Sequence, residues 1–385
     1  MNFTEEFLSN KVFCDQALTF DPLHSEIIDG KPADTGAIIK DNGDVFFRIY
    51  APNTKEVMIM SLMHNGKGTR KLILEKQGNG MFEGTLSYIE ECTGPSTIDI
   101  YFDGTLLVYP YIPVYWTANR PCNFVEIPDY DLDFMMIKNV PHGAMSREIY
   151  WAHVLNTWER CNIYTPPGYM NSDEEYPVLY LLNGGGDNEM CWEYSGRVAH
   201  ILDNSIAEGK TKPFIAVMNN GMLRHSKNNT GSIDDAFERM LIESCIPYIE
   251  KTYRVKKDKW NRAIAGLSMG SFMTSDIGFK HPDLFGYMGH FTASMTEKNL
   301  KMSYERPYPK VMQDAEKFAE NYKIYYRSTT RLENHFEYFE ADDELCAAGG
   351  IDKLPCYHRK VYSDTTSKWS SWRMGIRDFS QLIFK

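Results

Sequence analysis

The sequence predicts an α/β protein in which a mostly parallel central sheet, covered by helices, follows a small β-sandwich. Two changes of pattern carry that prediction. Up to about residue 112 the chain runs in short alternating segments parted by turn-formers, and beyond about residue 146 apolar strand-length runs alternate with helical spacing. Strands that alternate with helices imply a parallel sheet covered on both faces, whereas many short strands imply a sandwich. The resulting division is 1–112 for the sandwich and its N-terminal extension, 113–145 for a connecting segment, and 146–385 for the α/β domain.

In the first region the candidate strands are VFFRIY from Val45, VMIM from Val57, KLIL from Lys71, MFEGTL from Met81 and IDIYF from Ile98. Asn42-Gly43, Asn65-Gly66, Gly78-Asn79-Gly80, Gly94-Pro95 and Asp103-Gly104 separate them. Such dipeptides adopt the positive φ angles of tight turns. Residues 113–145 carry Pro113, Pro121, Pro128 and Pro141 without a clear period, and read as a connection.

The second region opens with ERCNIYTPPGY, a strand ending at a Pro-Pro-Gly turn. YPVLYLLNGGG and FIAVMNNG are continuous apolar strands, and the last two strands are KIYYRST and YHRKVYS. Between them, DAFERMLIESCIPYIEKTY places Phe237, Met240, Leu241, Cys245, Ile246 and Ile249 on one side of a helix. RAIAGLSMGSFMTSDIGFKHP reads as strand, sharp turn and helix, stopped by Pro282.

Composition bounds the function. The chain has 385 residues and a formal net charge of −11, which argues against nucleic acid or an anionic membrane as the main partner. No apolar run is long enough to cross a bilayer, and the start MNFTEEFLSN has neither a basic nor an apolar leader region, so a cytoplasmic location is expected. The eight cysteines are scattered, with no zinc-finger spacing, and are read as reduced, mostly buried thiols. No metal and no cofactor is expected, and a homodimer is the assembly expectation. Aromatic residues make up 14% of the chain, enough for large cores or for platforms that hold sugars.

Gly266-Leu267-Ser268-Met269-Gly270 is the motif that carries chemistry. An apolar strand enters it and a helix leaves it, the context in which a G-x-S-x-G serine is lifted above the sheet edge as a nucleophile. Both flanking glycines avoid clashes in that turn, and the Met269 N–H is placed as one oxyanion donor. Asn183-Gly184-Gly185-Gly186 follows another strand, and consecutive glycines let backbone N–H groups approach a ligand. No Lys or Arg lies in this loop and no Gly-Lys-Ser/Thr follows, which disfavours a phosphate site.

Three blocks, VLYLLNGGGDNEMCW, RAIAGLSMGSFMT and VYSDTTSKWSSWRMGIRDF, resemble carbohydrate esterase family 1: feruloyl and acetylxylan esterases, enterochelin esterases and the related mycolyltransferases. The resemblance implies an α/β-hydrolase fold over about 146–385, a Ser–His–acid triad and a small-molecule or carbohydrate ester as ligand. Position by position it makes Ser268 the nucleophile, Gly185 and Met269 the oxyanion donors, and Trp192 the aromatic that closes the glycine loop. Asn183, Ser367 and Trp369 join Trp192 around the pocket. Upstream, FRIYAPNTKEVMI, GNGMFEGTL and IDIYFDGTLLVYP resemble an early-set, immunoglobulin-like module over 36–112, which in its family binds or orients carbohydrate or packs on the catalytic domain.

The chain also departs from the family pattern. Asn183 replaces the histidine that usually opens the glycine loop. The C-terminal pattern His-x-Trp-x-x-Trp-Arg, whose His is the base, reads here Ser367-Lys368-Trp369-Ser370-Ser371-Trp372-Arg373. Serine is no general base near neutral pH, so the sequence predicts weak or absent turnover, and a ligand-binding relative without catalysis is the alternative. The nearest carboxylate to the acid position is Glu333, with Asn334 in competition; His225, His290 and His335 are the candidates for a replacement base.

Overall fold

The computed structural model describes residues 27–28, 31–32, 35–61, 70–88, 94–117, 120–127, 133–223, 235–292, 308–333, 336–363 and 368–385. Ser367, His225, His335 and Asn334 lie outside the described residues. Two compact units result: Met1–Ile137 with Thr365–Ser370, and Lys138–Asp364 with Ser371–Lys385.

In the first unit two antiparallel sheets share one apolar core. One sheet orders Gly36–Ile39, Val45–Tyr50, Met81–Leu86 and Glu75–Lys76; the other is six-stranded and is built on Gly94–Phe102. Val45, Phe47 and Ile49 of the first sheet join Val57, Ile59, Ile98 and Ile100 of the second in a single cluster. Strict alternation of buried and half-buried residues along Val45–Tyr50 is what a strand with one covered face requires. The sandwich extends further than the sequence predicts. Val114–Thr117 and Arg120–Ile127, inside the expected connection, form a hairpin that adds to the larger sheet through Gly94–Phe102. Pro121 is tolerated because it stands at the second position of its strand, where the ladder has barely begun. Asn123, buried in that strand, donates to the Tyr109 and Ile112 carbonyls and accepts from the Tyr109 N–H, which holds the preceding loop in place of a linker.

The second unit contains the eight-stranded sheet. In chain order its strands are β1 (Ala144–Ala152), β2 (Thr157–Thr165), β3 (Val178–Leu182), β4 (Ile215–Asn219), β5 (Arg262–Leu267), β6 (Tyr287–Phe291), β7 (Ile324–Thr330) and β8 (Tyr357–Tyr362). The spatial order is β1-β2-β4-β3-β5-β6-β7-β8. β1, β2 and β4 pair antiparallel, and all pairs from β4 through β3 to β8 are parallel. Every residue of β3, β4, β5 and β6 is buried, as a parallel sheet covered on both faces demands. β1 begins two residues before the expected domain start and makes the edge hairpin with β2, so the unit opens at Lys138 and not after 145.

Four helices matter below: α1 (Val198–Ala207), α2 (Met269–Lys280), α3 (Phe336–Ala348) and α4 (Lys368–Ser380). The segment 235–252 is helical as expected, with a π-helical turn at Met240–Cys245 between two α-helical pieces, and the apolar side read from the sequence is buried. The six described cysteines, Cys122, Cys161, Cys191, Cys245, Cys346 and Cys356, are buried thiols with no disulfide among them. Among the described residues, no helix is long and apolar enough to cross a membrane.

Candidate active site

β5 is central in the sheet and ends at Leu267; Ser268 then turns the chain into α2. Ser268 has φ 48° and ψ −119°, a conformation that side-chain-bearing residues rarely adopt, and its residue is only half-buried. A sharp turn of this kind points the hydroxyl away from the sheet instead of along it. The flanking glycines are required by close approach. A Cβ on Gly266 would sit 2.5 Å from the Gly270 carbonyl carbon, and a Cβ on Gly270 would sit 2.7 Å from the Asn183 oxygen and 2.8 Å from the Leu182 oxygen. The spacing of the motif therefore records three backbones crossing at one point: the end of β5, the start of α2 and the end of β3. The Ser271 N–H closes the first turn on the Ser268 carbonyl at 2.9 Å, and the helix N-terminus favours negative charge beside the serine.

The glycine loop lies against this turn. A Cβ on Gly184 would be 3.5 Å from Ser268 Cβ, and one on Gly185 would be 3.8 Å from Met269 Sδ. Gly185 is exposed and Met269 is half-buried. Asn183 and Trp192 are buried, and both hold the loop. The Asn183 Oδ1 accepts from the Gly221 N–H at 2.8 Å, and its Nδ2 donates to the Gly184 carbonyl at 2.9 Å. Trp192 donates its indole N–H to the Leu182 carbonyl at 2.9 Å and packs edge-on against Phe291. Their polar atoms face the backbone of β3, the loop and the strand ends, where they fix the loop's shape.

The loop that carries Glu333 follows β7. Thr292, directly after β6, donates from Oγ1 to Glu333 Oε2 at 3.0 Å, and Trp372 on α4 donates its indole N–H to the same Thr292 oxygen at 3.2 Å. Leu267 pairs with Phe291, and Phe291 with Ser328, in parallel register. The residues that follow these strands therefore emerge at one edge of the sheet, which places Ser268, Thr292 and the Glu333 loop side by side there. The sequence offers Glu333 as the carboxylate nearest the acid position, whereas no motif marks Thr292 or ties Trp372 to it, although the two hydrogen-bond in series with Glu333. The signal available was position alone: Thr292 is the first residue past β6, the strand next to the one that ends at Ser268.

His290 is placed inside the molecule. It is fully buried on β6, its Nδ1 lies 3.2 Å from both the Oγ and the carbonyl oxygen of Ser271, and its ring packs edge-on against Tyr325. Burial, with Arg327 adding to it, pushes its pKa down to about 3. The other hydrogen-bonded histidines among the described residues reach Asp203, Ser244 and Glu238. In the C-terminal block, Trp369 is half-buried in the first turn of α4, and Arg373 is buried with its Nε donating to the Ser195 carbonyl at 2.8 Å.

A central parallel sheet, a serine at positive φ between strand and helix, and a glycine loop beside it define the α/β-hydrolase fold. The chain belongs to the putative esterase family, whose model matches residues 152–375. It is 37% identical over 273 residues to an endo-1,4-beta-xylanase/feruloyl esterase of Xylanibacter ruminicola, a match covering 67% of this chain and 36% of that protein. This chain thus spans little more than a third of that relative. Among solved structures, the CE1 ferulic acid esterase of Anaeromyces mucronatus superposes with a TM-score of 0.53 at 20% identity, over 67% of this chain and 96% of that one. The enterobactin esterase of Shigella flexneri superposes with a TM-score of 0.61 at 13% identity, over 88% of this chain and 93% of that one. Coverage of 88% exceeds what the second unit can supply, so the shared fold includes part of the N-terminal sandwich.

Proposed function

We propose that the protein is a carbohydrate-ester hydrolase of the feruloyl or acetyl type that reacts through Ser268. The observation that carries this reading is the half-buried serine at φ 48°, at the start of α2 and against the glycine loop. Ser268 Oγ attacks the ester carbonyl carbon, the carbonyl π electrons move to oxygen, and the N–H groups of Gly185 and Met269 receive that oxyanion. Collapse expels the sugar alcohol and leaves an acyl-serine, which water then hydrolyses. The serine proton needs an acceptor during attack and the departing sugar oxygen needs a proton; without a positioned base, solvent water takes the first and supplies the second. Ser367, which stands where the resembled pattern has histidine, does not provide one near neutral pH, so acylation is slow. Glu333, held by Thr292, is the carboxylate assigned to orient a base at that edge. Asn183 and Trp192 are assigned to the wall that shapes the glycine loop.

Ser367 also favours a second reading, a binding protein that keeps the pocket for a glycan or aromatic ester without turnover. A serine-directed aryl phosphonate and a feruloyl aryl ester separate the two. Stoichiometric labelling of Ser268, with ester turnover falling by about 10³-fold or more in Ser268→Ala, supports the hydrolase. Retained glycan binding with no labelling supports the binder, and a Ser268→Ala variant with undiminished turnover overturns the assignment of the nucleophile.

A further inference from the structure

Away from Ser268, on the side of the sheet edge formed by β1 and β2, three metal-competent side chains converge. His200 and Asp203 stand one helical turn apart on α1, and His142 lies just before β1. One donor atom from each falls within 4.8 Å of the others. We propose that His142, His200 and Asp203 form a zinc-binding site that clips the start of the α/β unit to helix α1.

The cluster has the features of a built site. Asp203 is almost fully buried, yet one of its oxygens is already oriented by two donors: the Tyr164 hydroxyl at 2.6 Å and the Gly143 N–H at 2.9 Å, both to Oδ1. That leaves Oδ2 directed at His142 Nδ1, 2.9 Å away. Hydrogen bonds that fix a ligating carboxylate in this manner are what metal sites use to orient their ligands. Gly143 is required for the arrangement, since a Cβ there would fall 2.4 Å from the Thr165 oxygen and from the Tyr164 ring. The glycine lets its own N–H reach Asp203 while its neighbour His142 faces the same carboxylate.

Two imidazoles and one carboxylate are a ligand set that suits zinc, with a fourth position left for water. Zinc–ligand bonds of about 2.0–2.2 Å in tetrahedral geometry put neighbouring ligand atoms about 3.3 Å apart. The His142–Asp203 contact of 2.9 Å is slightly tighter and the other donor atoms lie within 4.8 Å, so modest side-chain rotations close the site. His142 is 39% exposed in its side chain, which provides the route of entry.

The test uses the untagged full chain, stripped of metal by a chelator and titrated with zinc chloride by calorimetry, with thermal unfolding followed in parallel. The expected result is one zinc per chain and a rise in Tm on zinc addition, since a metal that binds only the folded state stabilises it. His142→Ala and Asp203→Asn should each weaken binding by about 10-fold or more and remove the Tm rise. His358→Ala, a histidine outside the cluster, should bind zinc as the parent does. Absence of stoichiometric zinc binding in the parent, or unchanged binding in His142→Ala, overturns the proposal. His142 is partly exposed, so its variant decides the matter even if Asp203→Asn fails to fold.

Discussion

The two halves of the candidate active site are held by different means. Ser268 and the glycine loop are fixed by backbone: glycines that permit close crossing, and main-chain groups that accept from Trp192 or donate to Asn183. Glu333 is fixed by side chains, through Thr292 and then Trp372, which come from three separate elements. A half built from backbone is set by a few adjacent residues and tolerates little change. A half built from side chains depends on long-range register.

The sharpest way to break that contrast is to repair the second half. Ser367→His should raise ester turnover by about 10²-fold, the usual lower range for a positioned general base, and introduce a pH–rate inflection near the ordinary histidine range. Steady-state kinetics from pH 5 to 9 measures both. Unchanged turnover would mean that this half lacks more than one residue. Next in size is damage to the first half. Gly270→Ala drives a Cβ to 2.7 Å from the Asn183 oxygen, where only backbone can yield, and should destabilise the protein by about 2 kcal/mol in denaturant unfolding.

A pH-dependent effect comes from His290, whose ring lies between β6 and α2 and contacts Ser271. Its folded pKa of about 3 lies below the ordinary 6.5, so the unfolded chain takes up the proton first as pH falls. Its contribution is complete above about pH 6.5 and declines from there towards pH 3, at about 1.4 kcal/mol per pH unit. His290→Asn should flatten that slope in urea titrations between pH 6 and 4. An unaltered slope would place the titration elsewhere.

What could be read from the chain follows the same division. Gly266, Ser268 and Gly270 announce their geometry because their constraints are local, and the buried runs of β3, β4 and β5 announce a covered parallel sheet for the same reason. The hairpin Val114–Thr117 and Arg120–Ile127 was hidden by prolines that stand before or at the start of its strands. The Thr292–Glu333–Trp372 chain was illegible because its members are 41 and 80 residues apart and meet only through strand register. The cluster at His142, His200 and Asp203 escaped for a related reason: its helical pair is visible in sequence, but the third member arrives from 58 positions earlier than the first of that pair.

Asn183 has one more consequence. By anchoring the opening of the glycine loop to Gly221, it sets the direction of the loop amides before any ligand arrives. In the proposed reaction, charge that develops there would meet dipoles already aimed at it, with no reorientation left to perform. Adaptation to ligands of different size must then come from elsewhere in the pocket, and crystals grown with and without an acyl analogue should show this loop superimposing.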